Sequence, residues 1–300
     1  MKSFFYKILY NRYINFFLRN FLKLFNERFR ANLRIHPSGY LKINIQNKNI
    51  IYLKTNQTNY VTVKLFWEGY ENFEYSLIFI DLIKNVRTFI DVGSNIGYYS
   101  IIGATLNKEL KVISFEPSGS VFKYLSQNII INNLSNNVVL EKIALSNRIG
   151  FIKFFELYNT KYPNIDNLSG EHNIGTKKLK FNKPTKVKST TLDEYILSNK
   201  VNRVDLIKLD TEGSEHLIIK KGLKIIRKFK PIIICEVLFD ATNRKSIDKF
   251  LKNLNYSIYY HNDNKLFKIN SLQKNLIKGV NDYFFLHSSK EYLIHKYIDY

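Results

Sequence analysis

The chain has 300 residues, 45% of them hydrophobic, which is enough to bury the core of one large domain. Its formal net charge is +21, but the lysines are dispersed and no run of five like charges occurs, so nucleic-acid binding is disfavoured. An acidic or lipid-linked substrate is compatible with this charge. One cysteine, Cys235, excludes an internal disulfide framework and fits a reducing, cytoplasmic compartment; its apolar neighbours predict a buried structural thiol.

An amphipathic helix is predicted at residues 4–30, within an N-terminal segment, residues 1–35, that precedes the main domain. Polar residues recur there at steps of three and four and leave a broad Phe, Leu and Ile face. No stretch has the ~18 uncharged apolar residues of a membrane span. We expect this helix to dock on the main domain. The alternative is a weak peripheral contact with the inner face of a membrane, as basic aromatic helices make.

A small antiparallel β preface is predicted within residues 36–70. Residues 41–45, 50–53 and 60–65 alternate in polarity or are rich in β-branched side chains. Residues 73–83 then predict a helix that covers the sheet of the main domain.

The most informative stretch, residues 88–100, predicts a buried strand, a glycine-rich turn and a helix. Asp91 closes the apolar strand, and Gly93 and Gly97 turn the chain, since glycine accepts positive φ and lets a ligand approach the backbone. This order of elements is how a Rossmann-like unit presents a nucleotide cofactor. The glycines do not form G-x-G-x-x-G, which favours S-adenosylmethionine over a dinucleotide.

Two further strands follow, at residues 111–115 and 138–143. The first ends at Glu116, at the distance from the glycine turn where an acid binds ribose hydroxyls. The alternative is that Glu116 only opens the helix predicted at residues 118–132.

A hairpin is predicted from residues 151–155 and 185–189, and it encloses a long polar loop at residues 156–184. Long irregular loops in compact domains are often lids or binding loops, so we expect this one on the acceptor side of a site. A helix at residues 191–198 comes next.

The remaining elements complete an α/β sheet. Residues 206–209 form a strand with Asp210 at its carboxyl end, where it should face the same crevice as Asp91 and Glu116. We predict helices at residues 214–223 and 248–254 and strands at residues 231–237, 256–260 and 280–286, and Glu236 lies near the end of the first of these strands.

Four segments together resemble the FkbM family of methyltransferases: DVGSNIGYYS at residues 91–100, FEP at 115–117, TLDEYI at 191–196 and DLIKLDTEGSEHLIIKKG at 205–222. The resemblance runs over residues 71–236. It implies a class I methyltransferase: a Rossmann-like, mostly parallel sheet with an antiparallel last strand, here spanning residues 36–300 with its core at 71–300. The chain departs from the family pattern at Ser94, where alanine is commoner, and at Asn147, where an acid is common.

The same resemblance implies which residues form the site. Those expected to bind S-adenosylmethionine are Asp91, Gly93, Ser94, Asn95, Gly97, Glu116 and Ala144, the last through its backbone beside adenine. Asp210 is the preferred general base or acceptor-orienting acid, and Glu212 is the second choice. Glu215 is expected to cap the following helix, and His172 and His216 to be packing or surface residues. We predict no metal, with a divalent ion between Asp210 and Glu236 as the alternative.

The predicted function is transfer of a methyl group to a hydroxyl, in a sugar of a surface polysaccharide or glycoconjugate. An RNA 2′-O-methyltransferase would need a basic aromatic strip beside the catalytic acids, and Lys208 alone does not supply one. A non-catalytic scaffold has no need of the clustered acids at residues 210–215. A nicotinamide oxidoreductase should contain the missing glycine pattern.

Overall fold

The structure, a computed structural model, describes residues 2–25, 33–159, 165–176, 182–238, 240–275 and 277–299. The helices in these ranges are α1 Lys2–Leu9, α2 Arg12–Leu22, α3 Tyr60–Trp67, α4 Ser76–Leu82, α5 Tyr98–Leu106, α6 Gly119–Ile131, α7 Leu192–Ser198, α8 Glu215–Lys220, α9 Leu223–Phe229 and α10 Ala241–Lys252, with 3₁₀ turns at Tyr70–Asn72, Ile83–Asn85 and Ser288–Tyr297. The strands are β1 Gly39–Ile45, β2 Asn49–Thr55, β3 Thr88–Val92, β4 Lys111–Phe115, β5 Val138–Glu141, β6 Ala144–Leu145, β7 Gly150–Leu157, β8 Asn182–Thr190, β9 Leu206–Leu209, β10 Ile232–Glu236, β11 Tyr256–Asn262, β12 Lys265–Ile269, β13 Asp282–His287 and β14 Ile298–Asp299.

A central sheet of nine strands, counted over the described residues, has the order β5-β4-β3-β9-β10-β13-β11-β12-β14. Strands β5, β4, β3, β9 and β10 run parallel to one another, and β13 runs antiparallel to both β10 and β11. This confirms the predicted class I arrangement, in which the last long strand of the chain inserts in the opposite direction. The carboxyl ends of β3, β4, β9 and β10 therefore meet at one edge, where ligands bind in open α/β sheets.

Helices cover both faces of this sheet, and the strands are apolar on both sides for that reason. Successive residues of β3 face opposite ways: Phe89 packs into the core beneath α4, α5 and α6, while Ile90 packs into the core beneath α7 to α10. Cys235 is buried in β10, as predicted.

The preface is a two-stranded hairpin followed by a helix, not three strands. β1 and β2 pair antiparallel as predicted, but residues 60–65 belong to α3. Asn59 Oδ1 accepts a hydrogen bond from the backbone N–H of Thr62 at 2.9 Å and so caps this helix. The cap outweighs the strand preference of the β-branched residues at positions 61–63.

The predicted helix at residues 4–30 is divided in two. Asn11 Oδ1 accepts hydrogen bonds from the backbone N–H groups of Tyr13 and Ile14 and starts α2 afresh. Residues 26–32 lie outside the described residues. In the ranges that are described, no helix is long and apolar enough to cross a membrane.

Several boundaries also differ from prediction. The helix expected at residues 73–83 begins at Ser76. The helix expected at residues 214–223 is interrupted at Lys221–Gly222, which gives α8 and α9. Helix α10 begins at Ala241, seven residues before the predicted start at residue 248. Strand β12 was not predicted. The hairpin of residues 151–155 and 185–189 is confirmed as β7 and β8, which with β6 form a separate small sheet.

Candidate active site

The glycine turn between β3 and α5 lies against the end of β9. Gly93 has φ 74°, and a Cβ built there would overlap the carbonyl oxygen of Asp210. Gly97 has φ 95°, begins α5, and would place a Cβ 2.6 Å from a methyl carbon of Leu125. Both positions therefore favour glycine for conformation, and Gly93 requires it for space as well, because the atom that it meets belongs to the backbone.

Asp91 lies beneath this turn and is buried. Its Oδ2 accepts a hydrogen bond from Ser100 Oγ at 2.6 Å, and Ser94 Oγ donates to its backbone carbonyl at 2.8 Å. Asp91 does not line either cavity described below. Its position supports the turn, and its direct contact with a cofactor stays a prediction.

Glu116 follows β4 and holds the turn from the opposite side. Its Oε2 accepts a hydrogen bond from the Asn95 backbone N–H at 3.1 Å, and its Oε1 accepts one from the Ser118 backbone N–H at 2.9 Å. Burial raises the pKa of Glu116 to about 8, although these two N–H groups act in the opposite direction. A carboxylate has about four lone-pair sites, so it can accept two further hydrogen bonds from a ligand.

Glu116 opens into a cavity that we call the Glu116 cavity. Its lining includes Gly93, Asn95, Glu116, Pro117, Ile143, Ala144, Phe154, Gly170, His172 and Asp210. Of the predicted cofactor residues, Gly93, Asn95, Glu116 and Ala144 thus come together around one space, whereas Ser94 lines only the second cavity described below and Gly97 lines neither. The wall near Ala144 is apolar, as a flat aromatic base requires.

A second cavity, the acidic cavity, lies on the other side of the glycine turn. Within the described residues its lining contains five acids, Glu74, Glu171, Asp210, Glu212 and Glu236, and one lysine, Lys208. Tyr60, Phe73, Tyr98 and Tyr99 supply aromatic walls. Asp210 lines both cavities and therefore stands at their junction.

Lys208 is buried among the acids of the turn and of β9. Its Nζ lies 3.0 Å from Asp210 Oδ2, 3.8 Å from Asp91 Oδ1 and 3.3 Å from the carbonyl oxygen of Gly93. Burial alone would lower the pKa of Lys208, but Asp210 and Asp91 more than offset it and hold the pKa above its usual value. Lys208 thereby fixes the direction of the Asp210 carboxylate, a role that the sequence analysis did not find.

Glu212 and Glu215, on either side of Gly213, have different surroundings. Glu212 has φ 57° and lines the acidic cavity, while the hydroxyl of Thr176 donates to its backbone carbonyl at 2.5 Å. Glu215 is buried and its Oε1 accepts hydrogen bonds from Thr211 and Gly213, so it holds the turn that precedes α8 and does not cap the helix as expected. Burial raises the pKa of Glu215 to about 7.

Two acids of the site, Glu74 and Asp282, were missed. Glu74 adopts φ 44° before α4, and its carboxylate accepts a hydrogen bond from the Tyr99 hydroxyl at 2.8 Å. Asp282 begins β13 directly opposite Glu236 in the pairing with β10. Burial, and then Asp210, raise the pKa of Glu236 to about 10 and that of Asp282 to about 7. Among the described residues, the acids do not form a cluster arranged to hold a metal ion.

A segment that we call the strap, residues 165–176, crosses between the cavities, and its Ser169 and Gly170 line both. Asn59 Nδ2 donates to the carbonyl oxygen of Leu168 at 3.0 Å and to Asn95 Oδ1 at 3.1 Å. The preface thus ties the strap to the glycine turn. The rest of the loop predicted at residues 156–184 includes residues 160–164 and 177–181, which lie outside the described residues.

His172 belongs to the strap and is a packing residue in this structure. Its Nδ1 accepts a hydrogen bond from the Leu157 backbone N–H at 2.9 Å, which leaves the proton on Nε2, 3.2 Å from the carbonyl oxygen of Asn167. Burial lowers its pKa. With both ring nitrogens engaged, His172 is a wall of the Glu116 cavity rather than a base.

The chain is similar in sequence to known methyltransferases. The family model described as "Methyltransferase FkbM domain" matches residues 91–258. Methyltransferase sdnD of Sordaria araneosa is 26% identical over 174 residues, 49% of this chain and 67% of that protein. The hexuronic acid methyltransferase AglP of Haloferax volcanii is 27% identical over 161 residues, 54% of this chain and 59% of that protein. The crystal structure of an FkbM methyltransferase from Methylobacillus flagellatus KT has 13% identity and a TM-score of 0.45, over 67% of this chain and 44% of that one.

Proposed function

The chain belongs to the FkbM family of methyltransferases, and from this premise we propose that it transfers a methyl group from S-adenosylmethionine to a hydroxyl of a sugar in a surface polysaccharide or glycoconjugate. The observation that carries the proposal is Asp210, which stands at the junction of the Glu116 cavity and the acidic cavity. Methyl transfer needs a donor and an acceptor side by side, with a proton acceptor between them.

The Glu116 cavity fits the donor. Gly93 and Asn95 of the glycine turn line it, the Glu116 carboxylate can accept hydrogen bonds from two ribose hydroxyls, and the wall around Ala144 is apolar. When bound, S-adenosylmethionine supplies an electrophilic methyl group on its sulfonium. The protein's own residues then have to position the acceptor and receive its proton.

Asp210 is the residue that we propose for the proton. Its carboxylate accepts the hydrogen of the acceptor hydroxyl as the oxygen forms its new bond to carbon, so that the ether product leaves neutral. Lys208 engages Oδ2 at 3.0 Å, which fixes the carboxylate while other lone pairs face the cavity. Glu212 lines the same cavity and is the second choice.

The acidic cavity favours an uncharged, hydroxyl-rich acceptor. Carboxylates accept hydrogen bonds from sugar hydroxyls, and the aromatic walls suit the apolar faces of a sugar ring. Lys208 is the one cation in the described lining of this cavity, and Asp210 already engages it, so no cation is left to neutralise the phosphates of an RNA acceptor. The similar protein AglP of Haloferax volcanii is named a hexuronic acid methyltransferase. Its name supports a sugar as the acceptor, although a hexuronic acid is negatively charged and the acceptor proposed here is not.

Transfer of radiolabelled methyl groups to a panel of neutral oligosaccharides, uronic-acid oligosaccharides and an RNA oligonucleotide tests the proposal. We expect label in the neutral sugars, and Asp210→Asn should slow transfer by roughly 10²–10⁴-fold while donor affinity changes only a few-fold. Asp263→Asn, at an exposed hairpin turn, is the matched control and should be fully active. Label in RNA alone, or an Asp210→Asn variant as fast as the wild type, would refute the assignment.

A further inference from the structure

Helix α2 docks on the protein through its polar side. Asn15 and Arg19 are 0% and 1% exposed, the reverse of what a surface helix normally buries. Arg19 donates to the carbonyl oxygens of Ser38 at 3.1 Å and Tyr40 at 2.5 Å, at the start of β1. Asn15 donates to the carbonyl oxygen of His36 at 3.0 Å. The predicted docking is therefore present, but the face that docks is the opposite of the one that the hydrophobic pattern suggested.

The apolar side of α2 consequently faces outward. Tyr13, Phe17, Phe21 and Leu24 are 68%, 68%, 47% and 81% exposed. At 3.6 residues per turn they form one ridge, on the side of the helix opposite Asn15 and Arg19. Phe5 and Ile8 of α1 and Ile14 and Phe16 of α2 are also exposed. An apolar surface of this kind marks a binding site.

The charge around the ridge indicates what covers it. Apart from the buried Arg19, residues 2–25 contain the cations Lys2, Lys7, Arg12 and Lys23 and not one acid. A second copy of the chain would bring the same cations together on both sides of the contact, which costs free energy. An anionic lipid surface would neutralise them and take up aromatic and leucine side chains at the level of its headgroups.

We propose that α1 and α2 form a membrane-binding surface that seats the enzyme on an anionic lipid bilayer. The buried Arg19 and Asn15 hold the helix on β1, so that the catalytic domain and the lipid-facing ridge move as one unit. This surface goes beyond methyl transfer and does not depend on the acceptor proposed above. It would also keep the enzyme beside a lipid-linked glycan.

Flotation of the whole chain with phosphatidylcholine vesicles, with and without phosphatidylglycerol, tests the proposal. We expect binding to the phosphatidylglycerol vesicles and weaker binding to the neutral ones. The triple variant Phe17→Ser, Phe21→Ser, Leu24→Ser should lower partitioning at least about tenfold, because apolar insertion is lost. Lys7→Gln with Arg12→Gln should lower it by a roughly similar factor and make it less sensitive to salt.

The control variant carries Phe151→Ser and Tyr292→Ser, which remove aromatic side chains that are 65% and 72% exposed elsewhere on the protein. It should float like the wild type. Circular dichroism and donor titration show whether each variant is folded. If the triple variant is not folded, the charge variant, which keeps the apolar ridge intact, still tests the proposal. The proposal would be overturned if the wild type did not bind vesicles or if the triple variant bound them equally well. It would also be overturned if the wild type were a dimer that bound no vesicles and the triple variant were a monomer.

Discussion

Binding of the donor should strengthen as pH rises through about 8, because Glu116 accepts ribose hydroxyls best when it is ionised. Its pKa is raised to about 8 by burial. At pH 7 only about one-tenth of the protein then carries the Glu116 carboxylate, and at pH 9 about nine-tenths does. If the ionised form is the one that binds, the apparent Kd at pH 7 is about tenfold weaker than at pH 9.

Calorimetric titration with 5′-methylthioadenosine measures this dependence directly, since that ligand keeps the ribose and lacks the titrating amino acid of the full donor. Glu116→Gln keeps the size of the side chain and one acceptor oxygen but cannot ionise. We expect its Kd to be weaker than that of the wild type at pH 9, by roughly tenfold for one charge-assisted hydrogen bond, and to be flat across the same pH range.

Glu71→Gln is the control, because Glu71 is an exposed acid that lines neither cavity. It should retain the full tenfold pH dependence. A wild-type Kd that does not change between pH 7 and pH 9 would show that the ionised form is not required. An equal slope in Glu116→Gln would assign the titration to another group.

Two further predictions concern the turn and the strap. Gly93→Ala should destabilise the protein by roughly 3 kcal/mol or more, since the new Cβ overlaps a backbone carbonyl. Gly150→Ala is the control and should destabilise it less, because Gly150 has a positive φ but no atom within 4 Å of its Cβ. Thermal unfolding of the two variants measures the difference. Asn59→Ala removes the cap of α3, worth about 1 kcal/mol, and both side-chain bonds that join the strap to the glycine turn. Donor Kd should rise about fivefold or more in calorimetry; unchanged affinity with only a lower Tm would leave Asn59 a purely structural role.

The strand ends of the site could be predicted from local pattern, because each is an apolar run that stops at a polar residue. Glu116, Asp210 and Glu236 follow this rule, whereas β3 runs one residue past Asp91, and parallel strands bring their carboxyl ends to one edge. The sheet is buried on both faces, so its strands carry a strong and unambiguous hydrophobic signal. The mostly parallel sheet with its antiparallel last strand was predicted instead from the resemblance to a known family.

The missing acids depend on contacts that no local pattern contains. Asp282 reaches the site because β13 pairs with β10 in a register that sets it opposite Glu236. Glu74 lies in an irregular turn with φ 44°, and it joins the acidic cavity through a contact with Tyr99, 25 residues along the chain. Lys208 did leave a signal: a lysine within the apolar strand β9 must find a charge partner when it is buried, and Asp91 and Asp210 are those partners.

The N-terminal helix shows why a periodic pattern does not reveal which side of a helix meets the protein. Hydrophobic periodicity predicts that one face leaves water, but a bilayer and a protein core satisfy that condition equally. What distinguishes them is the partner of the polar face. Here the free carbonyl oxygens of Ser38 and Tyr40 lie where Arg19 can reach them, so the polar face is the one that docks. Replacement of Arg19 by an apolar residue would remove that anchor, and the ridge would then compete for the same place on β1.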